Sequence, residues 1–218
     1  MTSNRDEAVG RKTLPPEVEI KDDVFILMPI DEVAGGSWIG VSSKQRVLCL
    51  MNGEFKPHKR ADSYKKSRGV ILKELLIADD ILQRIENYDF KGIEAFTLIF
   101  ADWSTQLQFY ELVWDQSEKH LKRLKNKPQI WSSSPLYSEE MKKMREDWFS
   151  EIKDDLRAEN ILQFHHSGGV GDKNLDLIMD RGFLKTQSIS QIKVSPKNVD
   201  FWYKDLNTSE VTVRNLNF

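Results

Sequence analysis

The sequence predicts an α+β protein in which antiparallel sheets are layered with helices. Three observations carry that expectation. Short segments rich in β-branched and aromatic residues recur along the chain, most of them joined by short turns. Elsewhere the apolar residues switch to the three-and-four spacing of helices. The helical blocks interrupt runs of strands instead of alternating with them one for one, which favours antiparallel sheets over a parallel βαβ sheet. With 218 residues, 39% hydrophobic and 30% charged, the chain fits a single domain over residues 1–218 with enough apolar material for a core.

Each element follows in order. The first apolar run is VFILM at 24–28; Pro29 limits any strand there, and Gly35-Gly36 marks a turn. SWIGVSS and QRVLCLMNG read as two strands of a hairpin with Ser42-Ser43-Lys44 between them. Cys49, inside the second, reads as a packed core thiol with no base beside it. Over residues 67–86, Leu72, Leu75 and Leu76, then Ile81, Leu82 and Ile85, trace two helices, with Asp79 or Asp80 capping the second. EAFTLIFADW, LQFYELVWD, the weakly alternating KHLKRLKN and PQIWSSS read as four strands.

Ser138 opens the best-marked helix. Glu139 and Glu140 occupy its first turn, where the helix dipole favours negative charge, and Met141, Met144, Trp148, Phe149, Ile152 and Leu156 form an apolar stripe suited to core packing. HHSGGVGD reads as a glycine-rich loop. Without a following GK[ST] it is no phosphate loop, and the adjacent His165 and His166 point apart, so no metal site is expected. LKTQSISQIKV, VDFWYKDL and EVTVRNLNF close the chain as three strands, the last hairpin turning at Asn207-Thr208-Ser209.

The charge balance narrows the partners. A net charge of −2 gives no electrostatic reason to expect nucleic acid or an anionic membrane. The basic run Lys56, His58, Lys59, Arg60, Lys65, Lys66, Arg68 reads as a solvated loop and helix start, with an anion contact as the alternative. Cys49 is the sole cysteine, so no internal disulfide forms and a reducing, cytoplasmic setting is expected. No apolar run reaches the ~18–20 residues of a membrane span. There is no Cys-x-x-Cys-His haem motif, and His120 lies in a charged stretch, so no cofactor is expected.

The tetrapeptide NRDE at residues 4–7, followed by Arg11, resembles the opening signature of the NRDE family, whose eukaryotic branch is called transport-and-Golgi-organisation protein 2. GGSWIGVSSKQRVLCLMNG is similar to that family's Gly-Gly-Thr/Ser-Trp-Leu/Ile-Gly block and ends on the corresponding Asn52. SRG at residues 67–69, IWSSSPLYS and TQSISQI match further segments in the same order. The resemblance implies kinship with N-terminal-nucleophile hydrolases and hence an αββα sandwich, two antiparallel sheets between helical layers. It also implies an amidohydrolase acting on a small amide or acyl molecule.

In such amidases the nucleophile's own α-amine serves as its base, so base and nucleophile are held together with little entropy to lose. By the match, Arg5 and Asp6 would flank the nucleophile and Asn52 would donate to the oxyanion, with Asn4, Trp38, Ser133 and Ser134 contacting substrate. The residues alone equally allow Arg5 and Asp6 as a salt-bridged strand end, and Asn52, before Gly53, as a turn residue.

The chain departs from the pattern twice. Ser132-Ser133-Ser134 stands where the amidases carry an oxyanion-binding Asn. The strand and cysteine that precede the signature in typical members are also not in the sequence. We expect either a longer native start carrying that cysteine, the chain as written being inactive, or removal of Met1 to expose Thr2 as nucleophile. The alternative expectation is a non-catalytic ligand-binding or carrier protein, for which the resemblance implies haem or lipid handling; a domain with no site at all is the third.

Overall fold

The computed structural model describes residues 1–217. In chain order the strands and helices are β1 (Thr2–Ala8), β2 (Thr13–Lys21), β3 (Val24–Asp31), β4 (Ile39–Ser42), β5 (Arg46–Asn52), α1 (Arg68–Leu76) and α2 (Ile81–Asn87). There follow β6 (Phe96–Asp102), β7 (Gln108–Trp114), β8 (Lys119–Leu124), α3 (Glu139–Glu151), α4 (Ala158–Ser167), β9 (Leu184–Val194), β10 (Asn198–Asp205) and β11 (Val211–Asn217). Every strand pairing is antiparallel. Two sheets result: β2 to β8 in sequence order, and β1-β9-β10-β11, which brings the first strand beside the ninth.

Period-two alternation sorts the apolar side chains into two layers. Ile26, Met28, Leu48, Leu50, Leu98 and Phe100 face outward from the seven-stranded sheet and pack on Ile71, Leu72, Leu75 and Leu76 of α1 and on Ile81 and Ile85 of α2. Their neighbours Leu27, Val47, Cys49 and Ala101 face the other way, onto Ile192, Val199, Phe201, Tyr203 and Leu216 of the four-stranded sheet. On the far side of that second sheet α4 packs against β1 and β9. Helix, sheet, sheet, helix is the αββα order that the resemblance implied. No described helix is long and apolar enough to cross a membrane.

A buried cation ties the first helical layer to the sheet. Arg46 donates to Asp102 at 3.1 Å and, through its other nitrogens, to the carbonyls of Leu75, Ala78 and Asp79. Leu75 lies in the last turn of α1 and Ala78 and Asp79 follow it, so the guanidinium adds donors where the helix ends. Asp80 caps α2 by accepting from the Gln83 N–H, and Ser138 caps α3 by accepting from the Met141 N–H.

Three local expectations are corrected. Pro29 does not limit β3, and the Pro15-Pro16 stretch is itself a strand; the β2–β3 register breaks between Leu14 and Glu17, so the prolines of both strands sit where ladder donors are not needed. PQIWSSS is not a strand. Pro128 lacks a donor, and the segment is held by side chains instead, with Trp131 Nε1 donating to Glu111 and Ser133 Oγ to the Asn52 carbonyl. His165 and His166 belong to the last turn of α4, not to a loop, because Phe164 is buried and its carbonyl accepts from the Gly168 N–H.

Candidate functional site

Around the edge strand β1, reaching from the layer between the sheets to α3, α4 and the 125–137 connection, lies a cavity of about 970 Å³. Val47, Cys49, Ile99, Phe109, Leu136 and Ile192 give it apolar walls. Asn4, Arg5, Asp6, Trp38, Asn52 and Ser133 all line it. Ser134 does not: it is buried behind the lining, its hydroxyl without a partner, close to where a Cβ on Gly53 would stand.

β1 delivers three of these residues, and a bulge in its pairing with β9 falls between Arg5 and Asp6. A bulge re-aims successive side chains, and here Arg5 and Asp6 reach unrelated partners. Arg5 Nη2 donates to Asp31 at 2.5 Å, Nη1 donates to the Arg11 carbonyl, and the guanidinium lies 4.7 Å from the Trp38 ring. Asp31 also accepts from Arg11 Nε at 2.7 Å and from the backbone N–H groups of Val33 and Ala34. Burial alone would raise the Asp31 pKa, but the Arg11 and Ala34 hydrogen bonds and the two guanidinium charges overcome it and hold the carboxyl below the usual range.

Asp6 accepts from Tyr137 Oη at 2.5 Å and from Thr186 Oγ1 at 2.7 Å. Burial and then the Asp6 charge push the Tyr137 phenol well above its ordinary value, so it stays a donor. Arg145 stacks 3.5 Å over the Tyr137 ring and donates to the carbonyls of Leu175 and Asp176, fixing that wall of the cavity. Asn4 serves as a clamp, its Nδ2 donating to the His165 and Leu177 carbonyls.

Asn52 accepts from Ser133 through its backbone carbonyl, and its side-chain amide has no hydrogen-bond partner among the described residues. The positive φ that a turn needs belongs to Gly53, at 88°, not to Asn52. Gly36 and Gly69 pass back to back: a Cβ on Gly36 would stand 2.3 Å from the Gly69 carbonyl carbon. That contact sets Trp38 and Arg68 on neighbouring parts of the lining. Cys49 also lines the cavity, and burial raises its pKa, which keeps the thiol protonated. Asp31, Tyr137 and Thr186 escaped sequence reasoning because nothing in their local spacing distinguishes them from ordinary core and loop residues, and the sequence raises His165 only as a candidate metal ligand. Among the described residues no group of three His, Cys, Asp or Glu side chains is placed to hold a metal.

The sequence profile of the family described as "Transport and Golgi organisation 2" matches residues 1–192. The chain belongs to that family. In this Transport and Golgi organisation 2 family chain the cavity is lined by the NRDE strand. No curated protein matches the chain by sequence. Among solved structures, an arginine-to-leucine variant of conjugated bile acid hydrolase from Clostridium perfringens aligns over 100% of this chain and 92% of its own, with TM-score 0.55 and 9% identity. Penicillin V acylase from Agrobacterium tumefaciens aligns over 99% and 82%, with TM-score 0.51 and 9% identity. A cysteine-to-alanine mutant of the Clostridium perfringens enzyme aligns over 98% and 87%, with TM-score 0.54 and 8% identity. At such identities the likeness is one of fold. This Transport and Golgi organisation 2 family chain has the architecture of those hydrolases.

Proposed function

We propose that the cavity binds a small amphipathic molecule bearing an amide or acyl carbonyl, its apolar body between the sheets and its carbonyl against Asn52. The observation that carries this reading is the pairing of a cavity of about 970 Å³, walled by apolar side chains, with an Asn52 amide that no described residue hydrogen-bonds. Arg5 and Asp6 nearby are committed within the protein, Arg5 to Asp31 and Asp6 to Tyr137 and Thr186. They give the site a fixed shape and field, at no reorganisation cost when a ligand arrives.

A second reading, hydrolysis of that carbonyl, draws on Asn52, Arg5 and Asp6 sharing one cavity in a fold of amidase type. In it Asn52 donates to the tetrahedral oxyanion, a contribution of about 3–4 kcal/mol for a well-placed donor. Arg5 and Asp6 orient the attacking nucleophile; ammonia leaves from a primary amide as the acyl bond to the nucleophile forms, and water then releases the carboxylate. The two readings separate cleanly. Decanamide should raise the melting temperature of the chain and remain intact, with Asn52→Ala weakening the shift. Release of decanoate, lost in Asp6→Asn, supports hydrolysis instead; no thermal shift and no product would refute both.

A further inference from the structure

Asn4 and His165 form a dyad whose protonation pattern can be deduced from hydrogen-bond chemistry alone. Asn4 Nδ2 lies 3.1 Å from the His165 carbonyl and 2.7 Å from the Leu177 carbonyl. Carbonyls only accept, so the nitrogen end of the amide must face them, and Oδ1 is left as an acceptor. Oδ1 sits 2.9 Å from His165 Nδ1. Nδ1 must then carry the hydrogen, which in a neutral imidazole leaves Nε2 with a bare lone pair.

The ring lines the cavity, and no described residue hydrogen-bonds Nε2. Neither is Nε2 among the buried atoms sealed off without a partner. Burial first, then the nearby N-terminal amine and Arg145, hold the His165 pKa down to about 4, so the ring is neutral at physiological pH. The next residue behaves differently: His166 turns toward Trp202, with ring centres 6.3 Å apart.

We propose that His165 Nε2 is the cavity's hydrogen-bond acceptor for a ligand N–H or O–H group, with Asn4 as the positioning residue that fixes its tautomer. The inference rests on the reading of the cavity as a ligand site and specifies the chemistry it selects. Asn52 offers donors through Nδ2 and an acceptor through Oδ1, and His165 adds a second acceptor, so the ligand class carries both a carbonyl and a hydrogen-bond donor, as a primary or secondary amide does. A fully substituted amide lacks the donor and leaves the lone pair unmet.

Decanamide and N,N-dimethyldecanamide test this on the full chain by calorimetric titration, alongside long-range proton–nitrogen NMR of the histidine rings. The expected result is tighter binding of decanamide by about fivefold, the weight of one neutral hydrogen bond. His165→Leu should reduce that preference severalfold while still binding the dimethyl compound. NMR should show Nδ1 protonated in the free protein and an Nε2 resonance that moves only with decanamide. Both readouts in the wild-type chain need no variant to fold. Equal binding of the two amides, or a protonated Nε2 in the free protein, overturns the role of His165 while leaving the cavity reading intact. Failure of both amides to bind overturns the cavity reading and this inference with it.

Discussion

The Arg5 guanidinium meets the Asp31 carboxylate at 2.5 Å, across 26 positions of sequence, while its immediate neighbour Asp6 faces Tyr137 and Thr186. Both members of the Arg5–Asp31 pair are almost fully buried. A buried ion pair is not in itself a large source of stability, but removing one partner strands the other. Asp31→Ala should therefore cost about 3–5 kcal/mol in urea unfolding. The double variant Arg5→Met/Asp31→Leu, which strands no charge at this pair, should lose less than the single one. An additive loss would show that the pair is not coupled.

The same carboxylate sets a pH dependence. Its folded pKa lies below its unfolded value of about 4. The unfolded chain thus binds the proton more readily, and stability from this group is complete above about pH 5 and lost as pH falls through the folded pKa. Asp31→Asn should flatten the acid limb of the stability profile. An unchanged limb in the variant would assign acid sensitivity to other groups.

Tyr137 holds Asp6 from the 125–137 connection, so the hydroxyl joins the first strand to the wall opposite. Tyr137→Phe should destabilise by about 1.5–3 kcal/mol, the range for a hydrogen bond to a charged group. Combined with Thr186→Val, the loss should exceed the sum of the single changes, because Asp6 then has no side-chain donor. Additivity in that cycle would mean that water replaces either partner.

Gly36→Ala inserts a methyl 2.3 Å from the Gly69 carbonyl carbon, a contact that backbone cannot relieve by a side-chain rotation. Loss of several degrees in melting temperature is expected, with the decanamide response falling as Trp38 and Arg68 separate. A fully stable Gly36→Ala protein would contradict the back-to-back packing.

Cys49 lies on the cavity wall, yet burial raises its pKa. Since the thiolate is the reactive form, Ellman's reagent at neutral pH should label Cys49 far more slowly in the folded chain than in urea. Labelling as fast as in the unfolded chain would show an activated thiol and reopen this residue as a nucleophile.

The periodic elements were legible because their signal is local. The two-residue alternation in QRVLCLMNG already assigns Val47 and Cys49 to one face and Leu48 and Leu50 to the other, and the structure puts the two sets in different layers. Where side chains replaced ladder bonds, local reading failed: PQIWSSS has strand composition but is tied down through Trp131 and Ser133. Pro29 misled for the converse reason, because a register break made it harmless.

By itself, the sequence determined which strand residues face a core and, through the NRDE tetrapeptide and its accompanying blocks, which family the chain joins. It did not show that the apolar stripe of α3 stays outside that core, with Met144 exposed. It could not state that Arg5 answers to Asp31, that Asp6 is held by Tyr137, or that Asn4 sets the tautomer of His165. Those pairings span 26, 131 and 161 residues and exist only once β1 is laid beside β9 and the helices close over it. Hydrophobic periodicity is written in neighbouring residues, whereas a buried polar group finds its partner only where the folded chain removes water from both.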